Sequence, residues 1–171
     1  MPNLCANLRT WPFLKGQFTN YPAVSIDLHS DEHFMRQALR EAERAYLEDE
    51  VPVGAVIVAR NRIIARAYNL TEKLNDVTAH AEMQAITAAS NFLGAKYLKD
   101  CTLYVTLEPC SMCAGALFWS QIGKVVWGAS DPKRGFLSQG GKLHPKTEIK
   151  QGELADACSE LLTDFFRKKR K

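Results

Sequence analysis

Residues 102–130 read TLYVTLEPCSMCAGALFWSQIGKVVWGAS. The pattern changes period twice along this stretch. "CTLYVTLE", which starts at Cys101, is short and rich in β-branched and aromatic residues, and predicts a strand. "CSMCAGALFWSQ" follows Pro109 and predicts a helix from Cys110, since proline suits the entry to a helical turn. "KVVWGAS", from Lys124, is an apolar run that predicts a second, buried strand.

Upstream, "VGAVIVAR" and "RIIARAYN" are two β-rich runs that meet near Asn61 as a hairpin. A helix is predicted from near His80 to about Asn91. Another is predicted from Ser30, with Ser30 as cap and Asp31 and Glu32 in its first turn. Its apolar stripe, Phe34, Ala38, Ala42 and Ala45 with Met35, Leu39 and Tyr46, keeps a 3.6-residue period and reads as core. "ADACSELLTDFFRKKRK" is a closing helix with a basic end. A hairpin followed by helix, strand, helix and strand implies an α/β sandwich with a mixed sheet. No repeat or linker divides residues 29–171. Residues 1–28 show no periodicity and read as a poorly ordered extension.

The chain has 171 residues, 46% of them hydrophobic and 24% charged, which suits one domain and excludes wholesale disorder. No apolar run reaches the ~20 residues of a membrane helix, and the start lacks a secretory pattern, so no membrane is expected. Five cysteines, an odd number, argue against a disulfide framework and for a reducing, cytoplasmic setting. The net charge of +3 is too mild to declare a nucleic-acid binder, but "RKKRK" closes the chain. Taken alone, such a run reads as a solvated tail.

The chemistry lies in two short segments. "DVTAHAEMQA" puts His80 and Glu82 at a helix start, and "LEPCSMCAG" puts Cys110 and Cys113 at another. Positions three apart on a helix share a face, and a helix N-terminus favours the thiolate that binds metal. With His80 this makes three ligands of zinc type. A structural zinc is closed by four protein ligands, whereas a catalytic one keeps a place for water. The sequence offers no fourth: Cys101 starts a strand, Cys158 reads as an inert core thiol, and His29, His33 and His144 lack partner spacing. Two residues on a regular helix would splay by about 200°. An extended His80 leading into the helix instead brings Glu82 to the same side, free to move the proton of a water.

This order, H-x-E followed by P-C-x-x-C, is the signature of the zinc-dependent deaminases. Over His33–Lys169 the sequence resembles the bacterial tRNA-specific adenosine deaminases. The likeness includes "EVPVGAV" at 50–56, "TAHAE" at 78–82, "TLYVTLEPCSMCAGA" at 102–116, "IGKVVWGASD" at 122–131 and "LLTDFFRKKR" at 161–170. The resemblance implies a cytidine-deaminase-like three-layer α/β/α sandwich, usually a homodimer, with one Zn2+ per subunit. It implies conversion of adenosine to inosine at the wobble position of a tRNA anticodon, by hydrolysis at C6 of a flipped adenine. Glu82 would carry the proton to N1 and to the departing ammonia. Asn69 would read the base, Asp131 would contact a neighbouring nucleotide, and Phe165, Phe166 and Arg167 would meet the anticodon stem–loop. An anticodon loop is already single-stranded, so extruding its base is cheap.

Two stretches depart from that family: residues 1–28 have no counterpart in it, and the loop after Gly135 differs. After "DPKRG" the family usually runs through a longer loop with an asparagine–histidine pair; here "FLSQGGKLHPKTEI" follows. Two other readings share the zinc site. One is a deaminase of a free base or nucleoside of guanine or cytosine type, which would not need the basic "FFRKKR" end. The other is a non-catalytic zinc-containing RNA-binding subunit, which would have no use for Glu82.

Overall fold

The computed structural model describes residues 27–170, so the predicted extension over 1–28 lies almost wholly outside them. The elements run α1 (Asp31–Leu47), β1 (Gly54–Ala59), β2 (Arg62–Tyr68), α2 (Ala81–Leu93), β3 (Cys101–Leu107), α3 (Ser111–Ser120), β4 (Lys124–Ala129), β5 (Glu148–Gln151) and α4 (Ala155–Lys169). The strands form one sheet in the order β2-β1-β3-β4-β5. β1 is antiparallel to β2 and β3, while β4 is parallel to β3 and β5. The mixed sheet and the α/β sandwich are those the sequence predicts.

The pleat divides the core in two. Val56, Val58, Tyr104 and Val126 face Phe34, Met35 and Ala38 of α1 and Cys158 of α4. Their neighbours Ala55, Ile57, Leu103, Val105 and Trp127 face Ala81 and Ala85 of α2 and Ala114 and Leu117 of α3. Both faces are covered, which is why β1, β3 and β4 read as continuous apolar runs rather than alternating ones.

Local chemistry sets the element ends. Ser30 Oγ accepts from His33 N at 3.1 Å and caps α1. Arg60 and Asn61 both adopt left-handed backbone, φ 50° and 59°, and close a two-residue hairpin whose twist matches its strands. Gly54 lets α1 lie directly on β1, because a Cβ there would stand 2.1 Å from Ala38 O.

β5 carries no strand signal in the sequence. All four of its residues are exposed, so it has neither an apolar face nor an alternation to read. It is made by pairing with β4, and Lys150 ties it to Asp31 and Glu153. Between β4 and β5 the departing loop is itself packed. Phe136 is buried edge-on to Trp127 at 5.7 Å, and its N–H donates to Pro109 O at 2.9 Å.

The start of β1, the ends of β2, β3 and β4, and the first turns of α2 and α3 meet at one end of the sheet. Every residue of the H-x-E and P-C-x-x-C segments lies there.

Candidate active site

His80 and Cys110 occupy equivalent places. Each is the residue before a helix, α2 and α3 respectively, with extended backbone (φ −67°, ψ 154° and φ −74°, ψ 172°). Neither side chain caps its own helix, so both are free to turn towards each other. This corrects one step of the sequence reading. Cys110 is not the first helical residue but stands just ahead of α3, and its thiol and that of Cys113 still turn to the same side, as expected. Cys110 stands in an extended cap position, bridged to Gly135, and Cys113 lies in the first turn of α3.

The three ligand atoms converge. Cys110 Sγ is 3.7 Å and Cys113 Sγ 3.5 Å from His80 Nδ1. With Zn–N near 2.1 Å and Zn–S near 2.3 Å, a tetrahedral site has N···S edges of about 3.6 Å. The spacing therefore fits zinc. Among the described residues no fourth His, Cys or carboxylate joins the cluster. Burial explains the other two described cysteines: Cys101 is packed at the start of β3, and Cys158 lies against Gly128, where burial pushes its thiol up to about 11.

The electrostatics suit a metal. Hydrogen bonds from Cys113 and His80 hold the Cys110 thiol well below the ordinary thiol range, which favours the thiolate that binds metal. The same bond, with burial, pushes Cys113 up, and the bond to Cys110 raises His80. The first turns of α2 and α3 add their positive ends. Glu82 stands in the first turn of α2, 4% exposed, and burial raises its carboxyl above the ordinary range.

A cavity of about 240 Å³ opens over the cluster. Asn69, His80, Glu82, Cys110, Asp131 and Phe166 all line it. A larger cavity, about 620 Å³, lies at the opposite end of the sheet near Arg60, Phe92 and Tyr97, and holds none of these groups. Convergent polar groups, not volume, decide which is the site.

Of the site residues singled out in the sequence, Cys113, Phe165 and Arg167 do not line that cavity, Cys113 being fully buried within the ligand cluster. Phe165 is 6% exposed and packs edge-on against Tyr46, whereas Phe166, 45% exposed, faces the cavity. Adjacent helical positions cannot share a face, so only one of the pair reaches it. Arg167 is outside as well, paired with Asp164 at 2.5 Å. Asp131 accepts from the backbone N–H groups of Lys133 and Arg134, both at 3.0 Å, and so folds the turn that carries it.

Two buried acids escape the sequence reading. Glu108 accepts from Asp131 N and Leu137 N, both at 3.1 Å, and pins the loop after β4. Glu50, just ahead of β1, accepts from the loop after β2. The available signal is an acid set against an apolar strand in "EVPVGAV" and "TLEPC".

The chain belongs to the family of zinc-dependent deaminases: residues 28–129 match the cytidine and deoxycytidylate deaminase zinc-binding region. Within that family it is similar to the tRNA-specific adenosine deaminase of Bacillus subtilis, 46% identical over 82% of this chain and 91% of that protein. It is similar to a solved structure from studies of A-to-I editing by tRNA:A34 deaminases at the wobble position of transfer RNA. That likeness has 45% identity and a TM-score of 0.71, over 76% of this chain and 99% of the other. A solved guanine deaminase from Bacillus subtilis is 38% identical over 66% of this chain and 70% of its own, with a TM-score of 0.58.

Proposed function

We propose that this chain hydrolyses adenosine to inosine, with release of ammonia, at the wobble position of a tRNA anticodon. The observation that carries the reading is a buried, unliganded carboxylate beside a three-ligand cluster, in a cavity lined in part by Leu162 and Phe166 of α4, the helix whose last turn is basic. His80, Cys110 and Cys113 hold one zinc ion per subunit. Bound zinc supplies the Lewis acidity that makes water a nucleophile near neutral pH. Glu82 moves the two protons of the attacking water in turn, one to adenine N1 and the other to the departing amine. Asn69 contacts the flipped nucleoside, Phe166 offers a ring to an unstacked base, and Asp131 borders the neighbouring nucleotide. Residues 29–171 form the catalytic domain, and the enzyme works in the cytoplasm. Among the described residues no helix is long and apolar enough to cross a membrane.

The subunits pair as a homodimer. Met112, Ala116 and Trp119 fall on one side of α3, and Met112 and Trp119 are 37% and 76% exposed. The function is tested by incubating the protein with an anticodon stem–loop bearing wobble adenosine, in parallel with free adenosine, guanine and cytidine. Inosine forms in the RNA and the free compounds stay intact. Ammonia from a free base alone would assign the chain to small substrates.

A further inference from the structure

Glu50 takes no part in the chemistry described above, yet it is only 1% exposed. Four donors converge on its carboxylate. Lys73 N donates to Oε1 at 2.8 Å. Asn69 Nδ2, Glu72 N and Thr71 Oγ1 donate to Oε2 at 3.0, 3.2 and 3.3 Å. Thr71 Oγ1 in turn accepts from Asn69 Nδ2 at 3.0 Å. Both N–H bonds of the Asn69 amide are therefore used, one by Glu50 and one by Thr71. Asn69 Oδ1 has no protein partner among the described residues, although Asn69 is buried and lines the cavity.

A free carboxamide can turn over and offer a substrate either a donor or an acceptor. A carboxylate can only accept, so Glu50 fixes which end of the Asn69 amide faces it. We infer that Glu50 is a positioning residue that commits Asn69 Oδ1 to the cavity as a hydrogen-bond acceptor, so that the site selects a nucleoside offering a donor there, an N–H of the base or a hydroxyl of the ribose. The inference rests on the reading of Asn69 as a nucleoside contact. It adds the sign of that contact and the group that sets it. A site with a fixed buried acceptor rejects a ligand lacking the matching donor, because the acceptor is then left unpaired.

The test is a reciprocal swap. Asn69→Asp sets two carboxylates against each other, and Glu50→Gln turns an acceptor-only group into one that also donates. Each alone is predicted to lower kcat/KM on the stem–loop by roughly 10- to 100-fold. When Glu50→Gln and Asn69→Asp are combined, the new amide at position 50 donates to the new carboxylate at position 69. The second oxygen of that carboxylate still faces the cavity. The double variant is predicted to recover about tenfold over Asn69→Asp, with bound zinc near one per chain throughout. Losses that simply multiply would reduce Glu50 to a loop support and overturn the inference. Should Glu50→Gln fail to fold, Thr71→Val removes the other amide contact together with one of the four donors to Glu50. It should lower kcat/KM severalfold at unchanged zinc, and an unchanged kcat/KM would also overturn the inference. A 2′-deoxyadenosine at the wobble position separates the donors: a loss of turnover assigns the ribose hydroxyl, and retention assigns the base N–H. Wild-type turnover of the stem–loop reads the proposed function separately. If only a free base is consumed, the same cycle is run on that base.

Discussion

Glu82 and Cys110 line the same cavity, and substituting them should give opposite signatures. Glu82→Ala removes the proton carrier and leaves the ligands, so zinc stays near one per chain while kcat falls by about 10²- to 10⁴-fold. Cys110→Ala removes a thiolate, and the variant should purify with little zinc and no turnover. Metal analysis beside inosine formation separates the two. Zinc lost from Glu82→Ala, or turnover kept, would remove Glu82 from proton transfer. Residues of this kind are legible in a sequence because chemistry dictates both their type and their spacing. Glu50 and Glu108 are not, since the groups they hold are 19 to 29 positions away. A lone acid beside a strand looks the same whether it faces water or four converging donors.

At the scale of elements, the best-tied junction is the start of α1. Asp31 accepts from Tyr104 of β3 at 2.7 Å, from Lys124 of β4 at 3.0 Å and from Lys150 of β5 at 2.9 Å. Partial burial opposes its ionisation, but these bonds win and hold its carboxyl at about 2, against an ordinary 3.8. A depressed carboxylate stabilises the fold above its ordinary range and loses that contribution as pH falls through its folded value. Asp31→Asn should therefore cost about 2 kcal/mol at neutral pH. The gap from the wild type should close as pH is lowered from about 4 to about 2. Denaturant melts across that window check it, and a constant gap would contradict it. This junction also shows why β5 is hidden in the sequence. The strand is held by an ion pair and by its neighbour's backbone, and neither leaves a pattern in four exposed residues. The helices and the hairpin are legible because each carries its own cap, stripe or turn. The cap position of Cys110 is not, because Pro109 and the cysteines fit a helix that starts at either residue.

For the whole molecule, the sheet brings distant segments to one end, and α4 brings Leu162 and Phe166 to the cavity just ahead of its basic last turn. Its cations are already engaged in part: Arg167 and Lys168 pair with Asp164, and Lys169 pairs with Asp49. Replacing Arg167, Lys168 and Lys169 by alanine should weaken stem–loop binding at low salt. It should also make the dependence of log K on log salt shallower by roughly 0.7 for each phosphate no longer neutralised, with zinc unchanged. An unchanged affinity would make the cluster a solvated helix end. The sandwich follows from the order of elements in the sequence. That Phe166 and not Phe165 lines the cavity does not, because the choice depends on how α4 is rotated against Tyr46.

The most direct measurement is to sequence an unmodified tRNA with adenosine at the wobble position after incubation with the purified protein or its Glu82→Ala variant. The account predicts an adenosine-to-guanosine read change, the mark of inosine, at that position with the wild type, and none elsewhere or with the variant. An unchanged wobble position, with ammonia released from a free base, would contradict it.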